Sequence, residues 1–471
     1  MILKKPERKV FRNIAIVGIA DQRFDVEIKQ GRFVSVKASQ GSAGQLTELE
    51  QASPQEVHIQ KASSEKMPTG KTSAEQGFIE KVLDEKTFAE KASNGAILQG
   101  TAAAREAIHE ESLRFRHVDE HDPADRSRWH EEVIDGSDLW ISPGFIDLHT
   151  HMAWTDFDHA DQEKRDAAEV EAMQAEAIAA TLRTGVTTVR DAGGLAPHTA
   201  RHLVRHYRQP LRVDNASHMF GSADARGLEY LKRKADEVFA SGANWIKIMA
   251  TGGLGAPTEQ VTDPVLSEEE FSFLVRYAHE NGRRVFVHAW GGVAIDWAAR
   301  CGADSIEHGM FLTSDQAGRL AEANVAFVPT ASIYRIAADP QGVLALPPII
   351  QDRAARAVAA HAQAVEYAKR AGVRIGFGTD YATPHLHGRN LQELYTLLEY
   401  GLDREAVWAA ATSDAAVILG RGGELGRIAE GYLSDAVIFG ADPYSMRSEE
   451  ELRGGIRFVL TGTDEQELTA E

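Results

Sequence analysis

The chain has 471 residues, of which 43% are hydrophobic and 26% charged, a composition typical of a globular protein. Its 51 basic and 70 acidic residues give a formal net charge of −19. That charge disfavours binding to nucleic acid or an anionic membrane, because both need clustered lysine and arginine. The single cysteine, Cys301, cannot form an internal disulfide and is typical of a reducing compartment. Without a signal-peptide pattern or a long apolar run, we expect a cytoplasmic, homo-oligomeric enzyme with a small-molecule substrate.

The N-terminal residues 1–37 predict short strands. Residues Phe24–Lys29 alternate, and Gly31 and Arg32 form a turn before the apolar run Phe33–Val36, which is typical of a hairpin. Residues 38–131 differ in character: they contain 15 Leu, Ile, Val or Phe, with 17 acidic against 11 basic residues. So few apolar residues favour disorder or a loosely packed appendage, and the spacing of its second half favours helix. We interpret this segment as an insertion.

From residue 144 to 419, short apolar runs alternate with longer amphipathic ones, which predicts an α/β fold. The runs are Phe145–Leu148, Thr187–Val189, Leu211–Val213, Trp245–Ile248, Val285–Val287, Asp304–Ile306, Val325–Val328 and Arg374–Phe377. Helices are predicted between them at Ala167–Thr184, Leu228–Ala240, Glu268–Glu280 and Arg353–Ala371. Eight strands, each followed by a helix, predict a parallel sheet closed into a (β/α)8 TIM-like barrel.

The C-terminal residues return to a strand pattern, at Ser434–Phe439 and Ile456–Leu460. We therefore expect residues 1–37, 132–143 and 420–471 to form one composite β-sandwich domain beside the barrel.

Two His-x-His pairs occur, and their context separates them. His149 and His151 follow the apolar run Phe145–Leu148, and side chains two apart in a strand point to the same face. Both imidazoles are thus expected at the C-terminal mouth of the barrel, where they form half of a metal site. His385 and His387 instead lie in a loop beyond the last strand, where hydrogen bonds that shape the loop are expected.

Four other predicted strands also carry a titratable residue. His288, His308 and Asp380 each end a strand, and Lys247 stands within an apolar run. A charged lysine has no lone pair for a metal, but burial favours its neutral amine. A neutral amine can react with carbon dioxide to form a carbamate that bridges two divalent ions. The alternative is an ion pair of Lys247 with Asp380 or Glu307.

Five stretches resemble the metal-binding motifs of the amidohydrolase superfamily, in its binuclear branch with a carboxylated lysine. They are Pro143–His151, Ile246–Gly253, His288–Gly291, Ser305–Gly309 and Gly378–Asp380. Within the superfamily, Gly185–Asp191 and the lysine segment are most similar to prolidases and Xaa-Arg/Lys dipeptidases, which are close to imidazolonepropionases. The resemblance covers about residues 1–37 and 132–465, and the insertion departs from it.

The resemblance implies a metal-dependent hydrolase of an amide bond with two divalent ions, zinc being the expected metal. His149, His151 and Asp380 would hold one ion, and His288 and His308 the other. Carboxylated Lys247 and a hydroxide would bridge them. Two cations acidify a shared water and polarise a carbonyl, and Asp380 can accept the proton and pass it to a leaving amine.

Residues that contact the substrate are harder to infer. Tyr334 matches a family tyrosine near the substrate, and Arg335 could hold a carboxylate through two hydrogen bonds. His218 follows the third predicted strand and could contact the scissile carbonyl. Structural or solvent-exposed roles are the alternatives for Arg335 and His218.

Four functions stay open. The first is hydrolysis of a dipeptide or N-acyl amino acid, and the second is hydrolysis of a small carbamate, ester or xenobiotic on the same centre. The third is a mononuclear ring deaminase, a branch that normally lacks the lysine and has a glutamate after the fifth strand, where this chain has Ala289–Gly292. The fourth is a binding protein without catalysis, which is disfavoured because no ligand is missing.

Overall fold

The structure is a computed structural model that describes residues 8–39, 131–157, 159–255, 260–344 and 346–462. The predicted insertion, residues 38–131, falls almost entirely outside the described residues. Within the described ranges, no helix is both long enough and apolar enough to cross a bilayer.

The described residues form fifteen strands and thirteen α-helices. The strands are β1 (Arg8–Ile16), β2 (Arg23–Lys29), β3 (Arg32–Ala38), β4 (Glu131–Asp135), β5 (Trp140–Pro143), β6 (Phe145–Thr150), β7 (Val186–Asp191), β8 (Arg212–Asn215), β9 (Met219–Phe220), β10 (Trp245–Met249), β11 (Arg284–Ala289), β12 (Ser305–His308), β13 (Ala326–Val328), β14 (Ala436–Phe439) and β15 (Ile456–Leu460). The helices are α1 (His159–Gln162), α2 (Ala167–Arg183), α3 (Pro197–His206), α4 (Leu228–Ala240), α5 (Glu268–Glu280), α6 (Val293–Cys301), α7 (Ser314–Glu322), α8 (Ala331–Ala338), α9 (Pro348–Ala371), α10 (Gln392–Glu399), α11 (Arg404–Ala411), α12 (Ser413–Leu419) and α13 (Glu449–Gly455).

Strands from both ends of the chain form one mixed seven-stranded sheet. Its order is β15-β14-β5-β1-β2-β3, and β4 also pairs with β1. The sheet bends back on itself, since Arg32 of β3 pairs with Leu433, which lies just before β14. Phe11, Phe33 and Ile141 are fully buried inside this curve. The sandwich that the sequence predicts is thus, within the described residues, one curled sheet around its own core.

The central part of the chain forms two parallel sheets, ordered β6-β7-β8 and β13-β12-β11-β10-β9. Their strands β6, β7, β12 and β13 are buried at every position. Near-continuous apolar runs such as Val285–Val287 suit such strands, because helices cover a parallel sheet on its faces. The mixed α/β architecture predicted from the sequence is confirmed.

The eighth predicted strand, Arg374–Phe377, is not a regular strand. It makes a single bridge, between Ile375 and Phe327 of β13. The amide of Leu148 in β6 donates to the carbonyl of Phe377 at 2.9 Å, and the amide of Gly376 donates to the carbonyl of Phe327 at 2.8 Å. This segment therefore hydrogen-bonds to one strand of each parallel sheet. A Cβ on Gly376 would lie 2.5 Å from Leu148 Cδ1, so the neighbouring chain packs too closely for a side chain there.

Helix α6 lies between two glycines with positive φ. Gly292, before the helix, has φ 76° and ψ −167°, and a Cβ there would lie 1.9 Å from the carbonyl oxygen of Thr262. Gly302, after the helix, has φ 71° and ψ 40°, and its Cβ would point into open space. Gly302 supplies the left-handed cap that many helices use. Gly292 is needed for a second reason, the close approach of another backbone.

Candidate metal centre

The six side chains predicted to bind metal lie at the carboxyl ends of neighbouring parallel strands. They are His149 in β6, His151 just after it, Lys247 in β10, His288 in β11, His308 at the end of β12, and Asp380 after the segment 374–377. Within one sheet, His288 pairs with Met249 and His308 pairs with Ala289, while Lys247 pairs with Phe286, two residues before His288. All except Asp380 are at least 95% buried.

His149, His151 and Asp380 form the first half of the centre. One carboxylate oxygen of Asp380, Oδ1, lies 3.3 Å from His151 Nε2 and 3.5 Å from His149 Nε2. Two imidazole nitrogens and a carboxylate oxygen at such short separations are the donor set of a divalent transition metal.

His288 and His308 form the second half, and Lys247 lies next to the first. The imidazole centroids of His288 and His308 are 4.5 Å apart, and those of His308 and His149 are 4.8 Å apart. Lys247 Nζ lies 3.4 Å from His149 Nε2. Ligand atoms of His149, His308 and Asp380 all lie within 4.8 Å of one another. The structure thus brings together the residues that the sequence predicted from five separate strands.

Hydrogen bonds to the far ring nitrogen determine which nitrogen of each imidazole is free for a metal. His149 Nδ1 donates to Glu307 Oε2 at 2.7 Å, and His151 Nδ1 donates to the carbonyl of Gly193 at 3.1 Å. Both therefore keep an unprotonated Nε2, and Nε2 is the atom that faces Asp380.

The second pair of histidines is oriented in two different ways. The hydroxyl of Thr330 donates to the carbonyl of Pro329 at 2.6 Å, so its oxygen accepts from His308 Nδ1 at 2.7 Å and leaves Nε2 of His308 free. His288 is reversed, because its Nε2 donates to the carbonyl of Gly252 at 3.2 Å and leaves Nδ1 free. Each of the four imidazoles thus offers one lone pair.

Burial holds the centre in the protonation states that metal binding requires. It lowers the pKa of His149 and of His308 well below the usual value, with Lys247 and His288 as further causes respectively. Burial, with the charge of Lys247, lowers the pKa of His288 to about 3. These three imidazoles are neutral at neutral pH as a result. Burial also lowers the pKa of Lys247 to about 7, although Glu307 and Asp380 act in the opposite direction.

Two of the metal-binding candidates have an unusual backbone. His308 has φ 71° and Asp380 has φ 56°, and Thr330, the partner of His308, has φ 53°. Non-glycine residues rarely adopt positive φ, and such residues cluster at functional sites. Three residues at or beside the candidate centre thus share a rare backbone conformation.

The sequence model of the Amidohydrolase family matches residues 140–461, a range that contains all six of these side chains. The chain belongs to the amidohydrolase family. The resemblance inferred from the motifs is thereby confirmed, and the protein is a hydrolase that acts on C–N bonds in a metal-dependent family.

The individual proteins that this amidohydrolase resembles share at most 29% of their residues with it in the matched regions. An uncharacterised protein of Mycobacterium tuberculosis is 29% identical over 314 residues, which are 62% of this chain and 77% of that protein. Ochratoxinase of Aspergillus niger is 29% identical over 227 residues, 46% of this chain and 45% of ochratoxinase. A prolidase solved in complex with N-methylphosphonate-L-proline has 21% identity and a TM-score of 0.72, covering 97% of this chain and 98% of that one. That last likeness concerns the fold.

The residues predicted to contact the substrate do not all lie near the candidate metal centre. Tyr334 of α8 is buried, and its ring centroid lies 5.8 Å from that of His308. Burial, together with the charge of Asp380, raises the pKa of Tyr334 well above its usual value, so the phenol stays protonated. Arg335 does not face the centre in this way, since its side chain is 41% exposed and forms an ion pair with Glu399 of α10.

His218 lies between β8 and β9, and a carboxylate orients its imidazole. Its Nε2 is 3.1 Å from Asp224 Oδ2, and Asp224 is itself held by the hydroxyl of Tyr230 at 3.2 Å. The His218 side chain is 32% exposed, unlike the buried metal candidates. A partly exposed imidazole with an orienting carboxylate suits contact with a substrate.

Sequence reasoning missed the residues that orient the ligands. It considered Glu307 only as an ion-pair partner for Lys247, and it did not consider Thr330. Among the described residues, no carboxylate lies within ion-pair distance of Lys247 Nζ, and Glu307 pairs instead with Arg190 and His149. An acidic residue directly before the predicted ligand His308 was the available signal, but its partner could not be chosen without the sheet register.

Proposed function

We propose that this amidohydrolase is a binuclear hydrolase that cleaves the amide bond of a dipeptide or an N-acyl amino acid. One observation carries the proposal: four imidazoles, each with one ring nitrogen that carries no proton, lie together with Asp380 and Lys247. We further propose that the two parallel sheets and the segment 374–377 are parts of one (β/α)8 barrel.

His149, His151 and Asp380 would hold one ion, and His288 with His308 the other, with zinc as the expected metal. Lys247 would complete the pair of sites as a carbamate. In that reaction the amine nitrogen of Lys247 bonds to the carbon of carbon dioxide and releases one proton, which leaves an anion with two donor oxygens. The lowered pKa of Lys247 supports this, because only the neutral amine has a lone pair for the bond.

Two divalent ions in these positions would acidify a water molecule and polarise the carbonyl of the substrate. Asp380 is suited to proton transfer, because its side chain is 20% exposed whereas those of His149 and His308 are at most 2% exposed. Its carboxylate can accept the proton of the attacking water and deliver it to the leaving nitrogen. His218 would contact the substrate near the scissile carbonyl, since its imidazole is partly exposed and is oriented by Asp224.

The names of two relatives support an amide substrate. The prolidase shares the fold over nearly the whole chain, and ochratoxinase shares 29% of the residues in the matched region. The second candidate, hydrolysis of a small carbamate, ester or xenobiotic, uses the same centre with different surrounding loops.

The test has two parts. Metal analysis of the purified protein is expected to return about two divalent ions per chain, and Lys247→Ala is expected to lose metal and activity, with partial rescue by short carboxylic acids. Lys234→Ala is the matched control, since Lys234 pairs with Glu237 on the surface of α4 and is expected to change neither. If the fully active wild-type protein reproducibly contained one ion per chain, the result would favour the mononuclear ring deaminase instead.

The substrate is then identified by turnover of the metal-loaded enzyme on a library of dipeptides, N-acyl amino acids, esters and carbamates. Turnover confined to esters and carbamates would overturn the assignment of an amide substrate, but it would not contradict the proposed metal centre.

A further inference from the structure

We propose that Glu307 and Arg190 are positioning residues, which fix the orientation and tautomer of His149 and thereby the affinity of one metal site. The proposal rests on the proposed function, since it assigns a purpose to residues behind the metal centre. Neither residue belongs to the proposed ligand set, and both are fully buried.

Glu307 uses both carboxylate oxygens in this arrangement. Oε2 accepts from His149 Nδ1 at 2.7 Å, while Oε1 accepts from Arg190 at 2.8 Å and from the hydroxyl of Ser305 at 2.5 Å. With Oε1 occupied by two donors, the carboxylate cannot rotate away from His149 without breaking them. The proton on Nδ1 is thereby held in place, and Nε2 stays free for metal.

Arg190 holds the same histidine by a second route. Its Nε donates to the carbonyl of Leu148 at 2.6 Å, and Leu148 directly precedes His149 in β6. Its guanidinium also lies 4.7 Å from the ring centroid of Trp245 and 4.2 Å from that of Phe286. A lysine could not reach the backbone, Ser305 and Glu307 at once, because its three donors share one nitrogen. Arg190 thus fixes both the backbone before His149 and the carboxylate behind it.

Stability alone does not account for the pair. Replacing a buried ion pair by apolar side chains of similar volume is often neutral or stabilising, because desolvation offsets the Coulomb attraction. An apolar pair would fill the same space between Trp245 and Phe286, but it would supply no acceptor for His149 Nδ1. The other three imidazoles bind neutral oxygens, those of Gly193, Gly252 and Thr330. Glu307 is the one carboxylate among these four partners, and a carboxylate raises the basicity of the imidazole it binds.

The experiment compares stepwise metal binding in wild type, Glu307→Gln and the double variant Arg190→Met/Glu307→Met. Metal-free protein is titrated with Co2+ and Zn2+ in competition with a chelator, and the visible absorption of bound Co2+ reports the geometry of each site. The double variant removes both charges together, so it keeps the proposal testable if Glu307→Gln does not fold. Ser142→Ala is the control, because it removes a buried hydrogen bond to Trp408 outside the centre.

We expect one of the two ions to bind about 10–100-fold more weakly in both variants, with a changed Co2+ spectrum, while the other ion is held as before. Ser142→Ala is expected to lower the unfolding midpoint and leave both affinities unchanged. Unchanged affinities in the folded double variant, or loss of both ions in step with unfolding, would overturn the positioning role. A wild type that binds no metal would overturn the proposed function as well, so the two failures are distinguishable.

Discussion

The two glycines that flank α6 allow the effect of backbone conformation to be separated from that of close packing. Gly302→Ala adds a methyl group in open space at φ 71° and ψ 40°. Its cost is therefore that of a left-handed alanine alone, about 1–2 kcal/mol of unfolding free energy.

Gly292→Ala has two further costs. Its φ of 76° and ψ of −167° lie in a region that is essentially restricted to glycine. Its new Cβ would also lie 1.9 Å from the carbonyl oxygen of Thr262, so either the chain at Thr262 or the start of α6 must move. Overpacking of this kind typically costs about 1–3 kcal/mol, on top of the conformational cost. We expect Gly292→Ala to lose about 2–6 kcal/mol in total.

The assay is urea unfolding followed by intrinsic fluorescence, with both variants and wild type at the same metal load. We expect the midpoint to fall slightly in Gly302→Ala and much further in Gly292→Ala, with little change in slope. Equal midpoints for the two variants would refute the reasoning, because they would mean that the contact with Thr262 relaxes at no cost.

Lys247, Thr330 and Arg335 are each expected to respond differently to pH or substitution. Metal reloading of the metal-free protein with bicarbonate should decline as the pH falls through about 7, where Lys247 gains a proton, and a flat profile would exclude a carbamate. Thr330→Val removes the acceptor for His308 Nδ1 and should cost about 1–3 kcal/mol in unfolding, whereas Thr330→Ser should cost less; equal losses would assign the effect to packing. Arg335→Ala should change stability by at most about 1 kcal/mol and leave KM unchanged, because its pairing with Glu399 is exposed; a raised KM would restore its predicted contact with substrate.

The sequence was sufficient to predict which side chains the structure brings together at the candidate metal centre, for a geometric reason. Parallel strands present their carboxyl ends at one edge, so a residue known only to end a strand is already placed near the others. His288, His308 and Asp380 were found in this way without knowledge of the sheet register. The bounds of α4 and α5 match the predicted helices, which followed from their amphipathic periodicity.

What the sequence did not predict depends on contacts between segments far apart in the chain. Thr330 meets His308 only because β13 pairs with β12, and the left-handed φ of Thr330 aims its hydroxyl at the ring. Likewise, Glu307 is reached by Arg190 from a strand 117 positions earlier. The irregular segment at Gly376 was also missed, since an apolar run indicates burial but not whether a neighbour leaves room for a regular ladder.

The irregular segment 374–380 has a consequence for how the protein would respond to removal of metal. It connects β6 and β13 through backbone hydrogen bonds to Leu148, His149 and Phe327, and it carries Asp380, whose carboxylate faces His149 and His151. An ion bound by these side chains would hold the end of β6 to the segment that carries Asp380. Removal of the ion by a chelator would weaken the contact between β6 and this segment. Amide hydrogen exchange at Gly376–Asp380 would then accelerate at chelator concentrations that leave exchange in the rest of the fold unchanged.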